Sequence, residues 1–143
     1  MDLARILEFS GNHPVLILAF LGTLGLLVFL EVGRRFSGIK SVGPVEATQL
    51  NNREDAIFLD IRDDSEYRSG HIPGTIHIPL KQLPERVSEL EKYRGRPVIA
   101  CCRSGNRSTS AGSILAKHGF ERVYNLGGGI AAWQSANLPV SKK

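Results

Sequence analysis

Cysteine is scarce in this chain, with two residues in 143, and those two are adjacent, Cys101 and Cys102. Neighbours cannot build a disulfide framework, and a reducing compartment fits such usage better. No set of Cys and His has the spacing of a metal site, so no metal is expected. Internal repeats and low-complexity tracts are also missing, which leaves one ordinary globular domain as the main body. Massed positive charge is absent too. The formal net charge is +4, the basic residues are scattered, and no aromatics interleave with them, so nucleic acid is not an expected partner. Lys142 and Lys143 read as a solvated end.

One stretch lacks charge altogether. From Phe9 to Leu30 there is no Asp, Glu, Lys or Arg, a run of about 22 residues that would span roughly 33 Å as a helix. A buried core helix would show an amphipathic break, and none appears. A cleaved signal peptide would want a basic start and a small-residue cleavage site, but Asp2, Arg5 and Glu8 stand at the start and no Ala-x-Ala follows the run. The expectation is therefore an uncleaved single-pass anchor in an inner or plasma membrane. It comprises a short segment 1–13, a transmembrane helix 14–33 and a linker 34–40. Arg34, Arg35 and Lys40 follow the span while Arg5 precedes it, which places the C-terminal domain in the cytoplasm.

After the linker, short apolar runs alternate with helical patterns. Strands are expected near Lys40 and over 56–61, 75–78, 98–101 and 123–125. Helices are expected over 45–51, 64–69, 84–93 and 108–118, with a last one from Gly129 that carries Trp133. This alternation predicts an α/β fold with a five-stranded parallel sheet and helices on both faces, spanning 41–140 before a tail at 141–143.

The chemistry gathers after the fourth strand, in Cys102-Arg103-Ser104-Gly105-Asn106-Arg107-Ser108. A strand, a tight polar loop and a helix put Cys102 at the C-terminal edge of the sheet, against a helix N-terminus whose free N–H groups favour an anion. An ordinary thiol is only about 3% thiolate at neutral pH, and the thiolate is the nucleophile. Arg103, Arg107 and the helix dipole are expected to lower the thiol pKa. Gly105 frees the backbone to turn, and Asn106 tolerates a left-handed conformation. Arg107 reads as a residue that fixes the loop by pairing with an acid, and Arg103 as one that meets substrate. Ser104 and Ser108 are candidates to hydrogen-bond the sulfur, with helix capping the preferred role for Ser108. Adjacent strand residues face opposite ways, so Cys101 reads as a small core residue.

With Leu59-Asp-Ile-Arg62, Gly70-His-Ile-Pro-Gly74 and Leu126-Gly-Gly-Gly-Ile-Ala-Ala-Trp133 in the same order, this loop resembles that of a single-domain rhodanese, a sulfurtransferase. The resemblance runs from about Ser41 to Pro139. It implies a Cys102 thiolate that takes the outer sulfur of a small anionic donor such as thiosulfate. The resulting persulfide is passed to cyanide, a thiol or a protein acceptor, with no other cofactor. It also implies that Asp60 and Arg62 organise loops. His71, set among two glycines and a proline, reads as structural rather than as a proton shuttle. Two alternatives remain open from the residues alone. Counted from Cys101, the spacing Cys-x5-Arg107 is that of a phosphatase or arsenate reductase loop, and a non-enzymatic membrane-tethered module could use the same fold.

Overall fold

The computed structural model describes residues 13–36 and 39–142, with side chains for 13–29 and 39–142. The chain divides into two compact units, Met1–Ser37 and Gly38–Lys143.

In the first unit, Pro14–Phe36 forms helix α1. It exposes large apolar side chains along its described length, among them Val15, Leu18, Phe20, Leu24 and Phe29. The expected transmembrane helix 14–33 is a helix, but as a span it is not borne out. Among the described residues no helix is long and apolar enough to cross a membrane.

The second unit is a five-stranded, wholly parallel sheet with strand order β1-β5-β4-β2-β3. Its strands are β1 (Lys40–Val42), β2 (Ile57–Asp60), β3 (Ile76–His77), β4 (Val98–Cys101) and β5 (Val123–Leu126). The helices between them are α2 (Pro44–Glu54), α3 (Asp64–Ser69), α4 (Leu83–Arg86), α5 (Asn106–Lys117) and α6 (Gly129–Ser135). The two-residue strand period sorts the core into two layers. Ile57, Leu59, Val98, Ala100 and Cys102 face one side, under Leu83, Val87, Leu90, Ala111 and Leu115. Phe58, Ile99 and Cys101 face the other, under Ala47, Ile130 and Trp133. Helices cover both faces, as the alternating pattern requires.

The boundaries differ from expectation in ways that have physical causes. The helix expected over 84–93 is one α turn followed by a 3-10 helix, Val87–Tyr93. Val87, Leu90 and Tyr93 recur every third residue, and a 3-10 helix stacks that spacing on one side. Val87 and Leu90 are buried in the core and Tyr93 packs against it. Helix α2 runs on to Glu54 and stops where Asp55 turns left-handed at φ 55°. The expected tail is not free at its start. His71 N–H donates to Ser141 O at 2.9 Å and Ser141 N–H to His71 O at 2.8 Å, which ties Ser141 to the turn that follows α3.

Leu115 is fully buried on α5, the helix that carries the loop. Leu115→Ala is expected to cost about 2–5 kcal/mol of unfolding free energy, measured by denaturant melts at unchanged slope.

Candidate functional site

The site begins with the strand period. Cys101 is the last residue of β4, and its side chain enters the layer of Phe58, Ile99, Leu126 and Trp133. Burial pushes its thiol far above the ordinary value, and the Asp60 carboxylate pushes the same way. Its Sγ lies 3.6 Å from Cys102 O. Cys102 faces the opposite layer, where the chain leaves the sheet. The Cys-x5-Arg spacing counted from Cys101 therefore forms no cradle, because that thiol points through the sheet and away from the loop.

Cys102 is 1% exposed. The loop turns back on itself at Gly105, whose φ of +95° is costly for any residue with a side chain, and this aims the Gly105 N–H at Cys102 Sγ, 3.0 Å away. The Ser108 hydroxyl stands 3.6 Å from the same sulfur. Burial works against the thiolate. Hydrogen bonds from Ser108, through its hydroxyl and its N–H, and from the Ser104 and Gly105 N–H groups outweigh it, and the Cys102 thiol sits below its ordinary value of 9.0. The expected lowering is present, but the arginines are not its leading cause.

The placement of the arginines explains this. Arg107 is held by Glu66 of α3 in a two-pronged pair, Nη1–Oε2 2.9 Å and Nη2–Oε1 2.8 Å, so most of its charge is spent in fixing the loop. Arg103 is exposed, and among the described residues no acid pairs with its side chain. It lines a cavity of about 330 Å³ beside the loop with Arg62, Glu66, Ser69, Gly70, Ile130 and Gln134. Ser108 is the third residue of α5, not its cap. Gly105 holds the cap position, and the Ser108 hydroxyl reaches back to Gly105 O at 2.9 Å. Asn106 opens α5 with helical backbone and a negative φ, so the left-handed turn falls on Gly105 alone.

Asp60 and Arg62 lie under the site as a buried pair. Arg62 Nε donates to Asp60 Oδ1 at 2.9 Å and Nη2 to Oδ2 at 2.6 Å, while Nη2 also donates to Gly70 O at 2.8 Å. They therefore join the end of β2 to the Gly70 turn. His71 sits away from the sulfur. Its Nδ1 donates to Tyr67 O at 3.0 Å, and its ring stacks on Tyr67 at 3.9 Å. On the other face of Tyr67 stacks His77, at 4.1 Å, with Nε2 donating to Arg62 O at 2.8 Å. Among the described residues no three His, Cys, Asp or Glu side chains converge as metal ligands would.

Three contributors were not read from the sequence as site residues. Gly128 and Gly129 start α6 with positive φ, and the free N–H groups of that turn clamp the loop. Ile130 N–H donates to Cys102 O at 2.8 Å and Ala131 N–H to Arg103 O at 3.3 Å. A Cβ on Gly129 would stand 2.2 Å from Cys102 O, so the loop admits only glycine there. The run of three glycines was the signal. Asn125, on β5, bonds the Ser108 hydroxyl, and nothing in a strand of ordinary polarity marks it out. Glu66 carried no signal that would pair it with an arginine 41 residues away.

Residues 44–136 match the family described as the Rhodanese-like domain. The chain is 36% identical over 137 residues to the uncharacterized protein YibN of Escherichia coli (strain K12), covering 95% of this chain and 96% of that one. It is 39% identical over 103 residues to a protein named sulfurtransferase from Allochromatium vinosum, covering 69% of this chain and 94% of the other. Among solved structures, a rhodanese-related protein from Thermoplasma volcanium superposes with a TM-score of 0.65 at 29% identity, over 73% of this chain and 99% of that one.

Burial and a hydrogen-bonded arginine bear on the stability of the loop support. The Arg107 guanidinium, with the Asp63 N–H and against the effect of burial, holds the Glu66 carboxyl below its ordinary value of 4.5. A carboxyl whose folded pKa is depressed stabilises the fold above its unfolded pKa and loses that contribution as pH falls through the folded one. Unfolding free energy is therefore expected to drop by roughly 0.5–1 kcal/mol more in the parent than in Glu66→Gln as pH is lowered from neutral to well below 4.5, measured by denaturant melts across that range.

Proposed function

The chain belongs to the rhodanese family, whose relatives include named sulfurtransferases, and we propose that it moves sulfane sulfur through a persulfide on Cys102. The observation that carries this reading is the sulfur's surroundings: Cys102 Sγ is buried, accepts the Gly105 N–H at 3.0 Å and has a lowered pKa. A buried anion held by fixed backbone donors is what a thiolate and a terminal persulfide both require.

The first half-reaction with thiosulfate as donor balances as follows. Cys102 thiolate attacks the outer sulfur, a new S–S bond forms, the S–S bond of thiosulfate breaks, and sulfite leaves with the electron pair. The persulfide then carries the negative charge on its terminal sulfur, within reach of the loop N–H groups. In the second half-reaction an acceptor thiolate or cyanide attacks that sulfur, and Cys102 thiolate is the leaving group. Arg103, which lines the cavity, supplies positive charge that favours anionic donors at the entrance. The phosphatase reading loses its nucleophile, because Cys101 faces the other layer.

The full chain treated with thiosulfate and examined by intact mass is expected to gain one sulfur atom. The gain is expected to survive Cys101→Ser and to vanish in Cys102→Ser. A gain that follows Cys101, or no gain together with turnover of an aryl phosphate, would overturn the assignment.

Attachment to a membrane through α1, with the domain on the cytoplasmic side, belongs to the same proposal. It is supported by the charge-free run Phe9–Leu30 and by the apolar side chains that α1 exposes. It is supported further by similarity to the Escherichia coli protein across 95% of the chain, the N-terminal stretch included. The full chain is expected to sediment with membranes and resist alkaline carbonate. Leu21→Lys with Leu24→Lys, at about 2.5–3.5 kcal/mol each, is expected to release it. Recovery of the parent chain in the soluble fraction would remove the proposal.

A further inference from the structure

Ser108 is the donor nearest to Cys102 Sγ from the helix side, yet its single proton has three claimants. They are the sulfur at 3.6 Å, Gly105 O at 2.9 Å and Asn125 Oδ1. A hydroxyl has one proton to give and two lone pairs to receive with, so its partner on the far side decides which way it points. That partner is the Asn125 carboxamide. It is half-buried on β5, between the loop and β1, and its other end, Nδ2, faces Ser41 Oγ at 3.4 Å. Nδ2 also lies within 4 Å of where a Gly105 side chain would be, so the amide sits directly beneath the turn.

A carboxamide is a neutral side chain with an acceptor and a donor at two corners of the same plane, exchanged by a half-turn about its last torsion. With Oδ1 toward Ser108, the serine proton goes to Asn125, and the serine lone pairs face a protonated Cys102 thiol, which can donate to them. With Nδ2 toward Ser108, the amide donates to the serine oxygen, and the serine proton is left to Gly105 O or to the sulfur, of which an anionic sulfur is the stronger acceptor. Ser41, an exposed hydroxyl, serves either orientation by donating or accepting at the opposite corner.

We propose that Asn125 is a positioning residue that turns the Ser108 hydroxyl into a donor toward Cys102 when the sulfur is anionic. It acts through Ser108 and touches no substrate. Its role rests on the reading of Cys102 as the reacting sulfur and adds to it an amide whose orientation follows the charge of that sulfur. The charged groups around the loop are the Arg107–Glu66 pair with Asp63 3.9 Å from Arg107, the Asp60–Arg62 pair at the end of β2, and the exposed Arg103. Tyr124 is the neighbouring titratable group on β5, and Cys101 lies across the sheet. Substitution at Asn125 leaves all of them in place.

The test is the pH dependence of Cys102 alkylation by iodoacetamide in the full chain, read on the Cys102 peptide by mass, with thermal melts to show that each variant is folded. Alkylation needs no sulfur donor, so it reports on the amide even if thiosulfate proves to be no substrate. Asn125→Asp keeps the side-chain volume, can only accept and adds a negative charge of its own, and it is expected to move the alkylation midpoint up by about one pH unit, a tenfold loss of thiolate below the midpoint; the neutral Asn125→Ala separates the two causes. Asn125→Ala and Ser108→Ala are expected to move it up as well, and Asn125→Ala in a Ser108→Ala background is expected to add nothing. A midpoint unmoved by either Asn125 variant, or an Asn125→Ala shift that persists undiminished without Ser108, would overturn the proposal.

Discussion

The structure hangs on how the chain leaves β4. Cys102 is gripped from two sides at the point of departure. Its carbonyl accepts the Ile130 N–H at 2.8 Å, and its sulfur accepts the Gly105 N–H at 3.0 Å. The first bond holds the loop to the N-terminal turn of α6. The second closes the loop on itself. Both need backbone that only glycine supplies cheaply, Gly129 because a Cβ would strike Cys102 O and Gly105 because its φ is +95°. The five strands and their flanking helices put these two small turns next to each other at one edge of the sheet.

The electrostatics follow a division of labour. The full charges near the site are neutralised in pairs, Asp60 with Arg62 and Glu66 with Arg107, and these pairs hold geometry. The sulfur's own charge is met by neutral donors: N–H groups of the loop and the Ser108 hydroxyl. A paired arginine has little field left to offer an anion, whereas a backbone N–H fixed by the turn loses nothing when the anion forms. Burial opposes the thiolate, so the lowered pKa depends on each of these donors being in place. Arg103 stands outside this arrangement, exposed beside the cavity, and its charge acts on what arrives rather than on the sulfur at rest.

The two cysteines show how one period makes two environments. Adjacent in sequence, they fall in different hydrophobic layers. One thiol has burial and a carboxylate against ionisation; the other has burial overcome by donors.

Much of this was legible in the chain itself. The apolar runs and helical spacings determined the five parallel strands and the helices on both faces. The alternation within Val98–Cys101 determined that Cys102 and not Cys101 meets the loop, since both are local periodicities of the backbone. The length of the charge-free N-terminal run was equally plain, although among the described residues no helix is long and apolar enough to cross a membrane. Only the tertiary structure decided which donors reach the sulfur. Glu66 and Arg107 are 41 residues apart, Asn125 and Ser108 are 17 apart, and the Gly128–Gly129 turn lies more than 20 residues beyond Cys102. Such contacts arise where separate βα units converge at one sheet edge, and no local propensity records which side chains will meet there.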